Sequence, residues 1–179
     1  FSRRQRQMCI RDRFKAALAQ GGARPNQFRV QIAFPSVPNV PKSEEQLLIS
    51  GAALPASTVN PVITQYRGRE VKFAGERIFD PWTITVINDA SQSLRRPFEN
   101  WMELINNKDN NAGNLDWTEY QQQIIVEHLD RNDKVLPGGK YILEDAFPIN
   151  MSEVALQYAQ NDIIEEYTVT FQYQHYNVF

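Results

Sequence analysis

Catalysis needs side chains that take up a proton, attack an electrophile or hold a metal, and this 179-residue chain is poor in them. It has two histidines, His128 and His175, and one cysteine, Cys9. Neither histidine adjoins a Ser or Cys nucleophile motif, and no Gly-x-Ser-x-Gly elbow occurs. His128 lies in a segment with the alternation of an amphipathic strand and reads as a packed or polar-face residue rather than a base. One cysteine excludes an intrachain disulfide and leaves too few soft ligands for a zinc site. Glu144-Asp145 and Glu165-Glu166 are carboxylate doublets, but neighbours along a strand point to opposite faces and do not converge as acid and base. Asp130-Arg-Asn-Asp133 is similar to the start of a calcium loop but lacks the rest of the ligand series, so it reads as a turn. No catalytic, metal or cofactor site is expected.

Nucleic-acid binding would call for a basic stripe with interleaved aromatics. Arg67, Arg69, Lys72 and Arg77 make a modest cluster, interrupted by Glu70 and Glu76, and read as solvated or interface ion pairs. Residues 1–13 hold five arginines against one aspartate, a local charge of +4. The chain as a whole is at -2, which leaves -6 for residues 14–179. Such a body repels DNA phosphates. A basic arm can tether nucleic acid, but Gln7-Met-Cys-Ile-Arg-Asp-Arg13 resembles translated sequencing-adapter sequence, so residues 1–13 are read as non-native or disordered and carry no function here.

With 42% hydrophobic and 11% aromatic residues, the chain can bury a real core. One domain over residues 14–179 is expected. No apolar run reaches the roughly 18 residues of a membrane helix.

A short helix is predicted over Phe14 to Gln20, closed by Gly21-Gly22. Phe28, Val30, Ile32 and Phe34 alternate with polar positions and predict a first strand. Pro35, Pro38 and Pro41 block ladder pairing and predict a stiff projecting loop over residues 35–43. Gln46 to Ser50 is a candidate second strand, followed by an extended connector from Gly51 to Pro61. Val62 to Arg67 and Glu70 to Phe73 read as two short strands, or one bent strand, around Gly68. Gly75 and Pro81 bracket a turn into the strand of Trp82, Ile84 and Val86, whose other face carries Thr83 and Thr85. Leu94, Phe98, Trp101 and Ile105 form a helix stripe, with Asp89 or Ser91 as candidate cap and the first turn near Arg95 or Arg96 because of Pro97.

Asn106 to Asn114 reads as a surface loop, Gln121 to Leu129 and Lys140 to Ala146 as strands, and Pro137-Gly-Gly139 as a bulge or turn between them. Val154, Leu156 and Tyr158, a turn at Gln160-Asn-Asp162, and Tyr167, Val169, Phe171 and Tyr173 predict a long closing hairpin. The second arm should bury those aromatic and apolar residues and leave Glu166, Thr168, Thr170, Gln172 and Gln174 wet. Strands, one helix, then more strands, with no βαβα repetition, imply a mainly β fold: an antiparallel sandwich or small barrel with a flanking helix.

Arg24-Pro-Asn-x-Phe, Ala53-Leu-Pro-Ala56, Ala74-Gly-Glu-Arg-x-Phe-Asp-x-Trp-Thr-x-Thr-Val-x-Asn-Asp89 and the pair Ser152-Glu-Val-x-Leu with Glu166-Tyr-Thr-Val-Thr-Phe occur in one order from Arg24 to the C-terminus. In these motifs the chain resembles the tail tube proteins of contractile-tailed bacteriophages. The resemblance implies a virion structural protein whose subunits form hexameric rings, with inner sheets joined into one barrel and rings stacked into a tube that conducts the genome. It also implies sheath, baseplate and tail-terminator proteins as partners, assembly in the bacterial host cytoplasm, and DNA that passes without sequence-specific binding.

Pro35, Pro38, Pro41, Leu54 and Pro55 are the candidates for contacts between stacked rings. Thr83, Thr85, Glu166, Thr168, Thr170 and Gln172 are the candidates for a polar face toward the lumen or outer solvent. A tube protein of a phage-derived injection or type VI secretion apparatus is the neighbouring reading, and a monomeric β-sandwich binding module the reading from a different class.

Overall fold

The computed structural model describes residues 11–16, 18, 22–42, 44–159 and 162–179. Most of the basic arm, Gly21 of the expected helix closure, and Gln160 and Asn161 of the expected turn lie outside them. Residues 11–16 are helical.

Among the described residues nine strands follow in order: β1 (Phe28–Ile32), β2 (Ile49–Ala52), β3 (Ser57–Tyr66), β4 (Arg69–Phe79), β5 (Trp82–Ile87), β6 (Gln122–Leu129), β7 (Val135–Met151), β8 (Glu166–Gln172) and β9 (His175–Val178). Seven form one antiparallel sheet in the order β1-β6-β7-β8-β5-β2, with β9 also paired to β7. The 17-residue β7 is the hinge of this architecture. Its first part pairs with β6 and β9, and Phe147 to Met151 pair with β8, so one strand passes between two half-sheets.

Val30, Ile124, Val126 and Leu143 of one half, Ile49, Ile84, Val86, Val169 and Phe171 of the other, and Leu94, Phe98 and Trp101 beside them share one buried cluster. The mainly β, antiparallel fold with a packed helix is as the alternation implies. β5 and β8 bury their expected residues, and Tyr173 joins them.

The helix Arg95–Ile105 starts where Pro97 allows it, with Pro97, Phe98 and Trp101 buried. Its N-cap is Leu94, without a side-chain cap, because Asp89 acts one turn earlier: its Oδ1 accepts from the Ser93 amide at 2.8 Å and from the Ser93 hydroxyl at 3.0 Å. Ser91 also donates to Asp89, and this bond is the main reason the carboxyl lies below its ordinary pKa; burial opposes it and the Ser93 bonds reinforce it.

Several expected elements differ. Glu45–Leu48 is a turn of 3-10 helix, and β2 begins only at Ile49. The Gln46 carboxamide spends its hydrogen bonds on the β1 edge, accepting from the Ile32 amide and donating to the Ile32 carbonyl, both at 3.0 Å. Gly75 lies inside β4, not in a turn before Trp82. A Cβ there would stand 2.4 Å from the Asn60 carbonyl oxygen, so the residue allows a close backbone approach. Beyond Ser152, whose amide donates to the Thr168 carbonyl of β8 at 2.8 Å, residues 153–159 pair with no strand; of the expected alternation Val154 packs partly buried against the core, while Leu156 and Tyr158 lie exposed in a loop. The short helix Trp117–Tyr120, capped by Asp116 through the Thr118 amide, has no counterpart in the expected elements.

Candidate assembly surfaces

β3 and β4 form a two-stranded hairpin that pairs with no other strand. Its tip is Arg67-Gly68, both at positive φ (48° and 79°), which suits the twist of a tight hairpin. Pro61 would break a central strand, yet here it lies at a register shift between Val59 and Pro61, where a missing donor is tolerated.

The hairpin is fastened only at its base. Tyr173 donates its hydroxyl to the Ala56 carbonyl at 3.2 Å, the Asp80 amide donates to the same carbonyl at 3.3 Å, and the Phe79 ring packs on Tyr173 and Tyr176. From Thr58 to Ile78 nearly every residue is exposed. Register places Val62 opposite Phe73, Thr64 opposite Val71 and Tyr66 opposite Arg69 on one face. The other face pairs Ile63 with Lys72 and Gln65 with Glu70. The hairpin is therefore two-sided, one side mostly apolar and one mostly polar, and neither is covered. Arg67 lies over the Tyr66 ring at 5.5 Å, so the tip is basic.

The polar-face candidates lie on one face of the β5–β8 pair. Thr83 opposes Thr170, Thr85 opposes Thr168, and Ile87 opposes Glu166, with Gln172 continuing the same alternation along β8. The Thr83 and Thr170 hydroxyls bond at 3.0 Å, and Ser50 of β2 donates to the Thr85 carbonyl at 3.4 Å. β2, β5 and β8 contain no Lys or Arg. β2 ends the sheet, with no strand on its outer side among the described residues.

The ring-stacking candidates divide. Pro35, Pro41 and Pro55 are buried, while Pro38 and Leu54 are exposed. The segment after β1 does not project: Phe34 packs its ring on Phe98 and Trp101 (5.1 and 5.5 Å between centroids), Val37 is buried, and the Pro38 carbonyl accepts from Asn100 at 3.1 Å. The prolines stop strand pairing, but the aromatic residue before them draws the segment down across the helix. The surface that does project is β3–β4: the two short strands read around Gly68 are present, but Pro61 and Gly75, which read as stops, hid their full length of Ser57–Tyr66 and Arg69–Phe79. The alternation of Val62, Thr64 and Tyr66 and of Arg69, Val71 and Phe73 about Gly68 carries the part that was read.

The candidate chemical residues do structural work. His128 Nε2 lies 2.8 Å from the Arg24 carbonyl oxygen, near the end of β6 where His128 opposes Phe28 of β1. Glu127 is buried beside Arg29 at 3.5 Å. No cluster of three or more His, Cys, Asp or Glu able to hold a metal occurs among the described residues, and none of their helices is long and apolar enough to cross a membrane.

Residues 23–179 match the family described as phage tail tube protein. The tail tube protein of Serratia phage KSP90 is 27% identical over 170 residues, covering 93% of this chain and 95% of the relative. Tail tube protein gp19 of Enterobacteria phage T4 is 28% identical over 148 residues, covering 83% and 86%. Among solved structures, a chain of the anti-feeding prophage baseplate shares the fold at a TM-score of 0.64 and 12% identity, over 88% of this chain and 95% of that one. A chain of the PVC sheath-tube complex, an extracellular contractile injection system in its extended state, does so at 0.55 and 13%, over 92% and 97%. A match that spans both half-sheets, the hairpin and the helix leaves one assignment: the chain belongs to the phage tail tube protein family, a family of structural subunits.

Proposed function

We propose that this chain is the repeating subunit of the inner tube of a contractile phage tail, assembled as stacked rings of six through which the genome passes. The observation that carries the reading is the open outer edge of β2, which borders a sheet face of hydroxyl and amide side chains. An open edge leaves main-chain donors and acceptors for a neighbouring copy, each hydrogen bond contributing about 0.5–1.5 kcal/mol net. Ring closure turns such edges into a continuous barrel and puts one face of that barrel inside.

With Thr83, Thr85, Thr168, Thr170 and Gln172 lining the bore and Glu166 at its margin, DNA meets no cation. Each phosphate neutralised by Lys or Arg would add affinity and hold the genome back. A bore of uncharged hydroxyls with acidic margins lets it slide. In this reading the tube sits inside a sheath, between a baseplate and a terminator protein, in a virion assembled in the host cytoplasm.

A tube of an injection apparatus would share this fold. Identity of 27–28% to phage tail tube proteins over most of the chain favours the phage tail, and capsid genes beside the coding sequence would separate the two. Electron microscopy of the purified protein at rising concentration tests the proposal: hollow filaments of stacked hexagonal rings support it, and uniformly small particles under every condition overturn it.

A further inference from the structure

The antiparallel sheet ends in two strands, β1 and β2, and the two ends are finished differently. Along β1 the Ala33 amide donates to the Gln123 carbonyl and the Gln27 carbonyl accepts from the Leu129 amide, so the odd-numbered positions turn their main chain toward β6. Phe28, Val30 and Ile32 therefore turn theirs outward.

At Ile32 that outward edge is closed by a side chain. The Gln46 carboxamide accepts from the Ile32 amide and donates to the Ile32 carbonyl, both at 3.0 Å. A carboxamide carries the same donor and acceptor as a peptide group, so Gln46 takes both bonds that a neighbouring strand would make with this residue. The turn that carries Gln46 is itself held in place. The Lys42 amide donates to the Glu45 carboxylate at 2.9 Å, the Glu45 amide donates to the Lys42 carbonyl at 3.0 Å, and beyond Gln46 the Leu48 side chain packs against the core and Ile49 is buried.

Open strand edges invite pairing with other chains, and shortening the usable edge is one way to prevent it. With Ile32 taken, β1 offers outward main-chain groups only at Phe28 and Val30, too short a run for a stable strand pair. One groove of about 730 Å³ is lined by Val30, Ile32, Gln46 and Ile49, the first residue of β2. At this corner of the fold a closed edge and an open one lie side by side.

We infer that Gln46 determines which of these edges can associate: as a strand mimic it keeps β1 from pairing with other copies of the chain and leaves association to the open edge of β2. This goes beyond the tube reading, in which β2 is used, to what keeps β1 out of use.

Two substitutions separate a guard from a mere tether. Gln46→Ala removes the carboxamide and leaves the edge open. Gln46→Lys also removes the acceptor for the Ile32 amide, but a charge held at a strand edge blocks pairing by another route. Amide exchange at Ile32 should accelerate on the order of tenfold or more in both variants. Only Gln46→Ala should divert protein, as its concentration is raised, into irregular aggregates in which hydrogen exchange read by mass spectrometry shows new protection over residues 28–32. Both variants lose the bond from the Ile32 amide, so a shared loss of stability cancels, and the difference between them reads the guard alone.

Aggregates of Gln46→Ala that protect residues 28–32, with none from the parent or from Gln46→Lys, support the role. Gln46→Ala that assembles as cleanly as the parent overturns it. So do aggregates in which residues 28–32 exchange freely, and so does aggregation of Gln46→Lys to the same extent, which would make Gln46 a tether. Failure of the parent to form hollow filaments overturns the tube reading instead, and the guard is still read from whether Gln46→Ala aggregates where the parent stays small.

Discussion

The Thr83 and Thr170 hydroxyls share a 3.0 Å hydrogen bond across the β5–β8 pair, on the face opposite the buried Trp82 and Phe171. One ladder therefore divides two environments: a dry side closed by aromatic packing and a wet side of neutral hydroxyls. In the ring we propose, that wet side is the surface offered to DNA.

Thr83→Lys places a cation on this surface without touching the core. Filaments of the variant should bind linear DNA with an affinity that falls steeply with salt, log K dropping by about 0.9 per log unit of salt for each phosphate that the new lysines neutralise. Filter binding across a salt series measures it. Equal binding by parent and variant would remove Thr83 from the bore.

Gly75→Val tests the hairpin separately from the domain. The new Cβ would meet the Asn60 carbonyl oxygen, so the β3–β4 register beside Pro61 must shift. The hairpin pairs with no other strand, so the midpoint of chemical unfolding should move by less than about 0.5 kcal/mol equivalent. Filament formation, followed by light scattering, should be lost.

Trp101→Ala attacks the core instead. Trp101 is fully buried, packs on Phe34 and Phe171, and donates its indole N–H to the Tyr120 carbonyl at 2.7 Å. Truncation should cost about 3–5 kcal/mol. Denaturant titration should show the loss before any question of assembly arises.

Tyr173 gives a pH prediction. Burial first, then Tyr176 and Asp80, push its phenol up to about 12, while its hydroxyl holds the hairpin base through Ala56. An unfolded tyrosine ionises near pH 10. The folded value is the higher one, so this contribution is complete below about pH 10 and is lost as pH rises toward 12. Tyr173→Phe should abolish that part of the alkaline destabilisation and loosen the hairpin base, detected as faster amide exchange at Asp80.

The sequence made legible what alternation and packing control. Tyr167, Val169, Phe171 and Tyr173 are buried because a period of two with large apolar residues leaves one outcome in a half-covered sheet. Leu94, Phe98 and Trp101 are buried for the corresponding reason on a helix. The polar face followed from the same alternation.

What local pattern left hidden was set by distant contacts. Pro35 and Pro41 lie buried because Phe34 engages Phe98 and Trp101, residues more than 60 positions away in the chain. Val154, Leu156 and Tyr158 alternate like a strand, yet no strand pairs with residues 153–159. The length of the hairpin around Gly68 was obscured by Pro61 and Gly75, two apparent breakers that meet at one bulge and relieve each other there.

The central claim is that β2 finds its missing partner on a neighbouring copy. A cryo-EM reconstruction of the assembled protein tests it directly, at a resolution that traces main chain. The account predicts main-chain hydrogen bonds between the outer edge of Ile49–Ala52 and a strand of the adjacent subunit in the same ring, with Thr83 and Thr170 facing the bore. A reconstruction with that edge in solvent, or with a self-contained monomer as the particle, would contradict it.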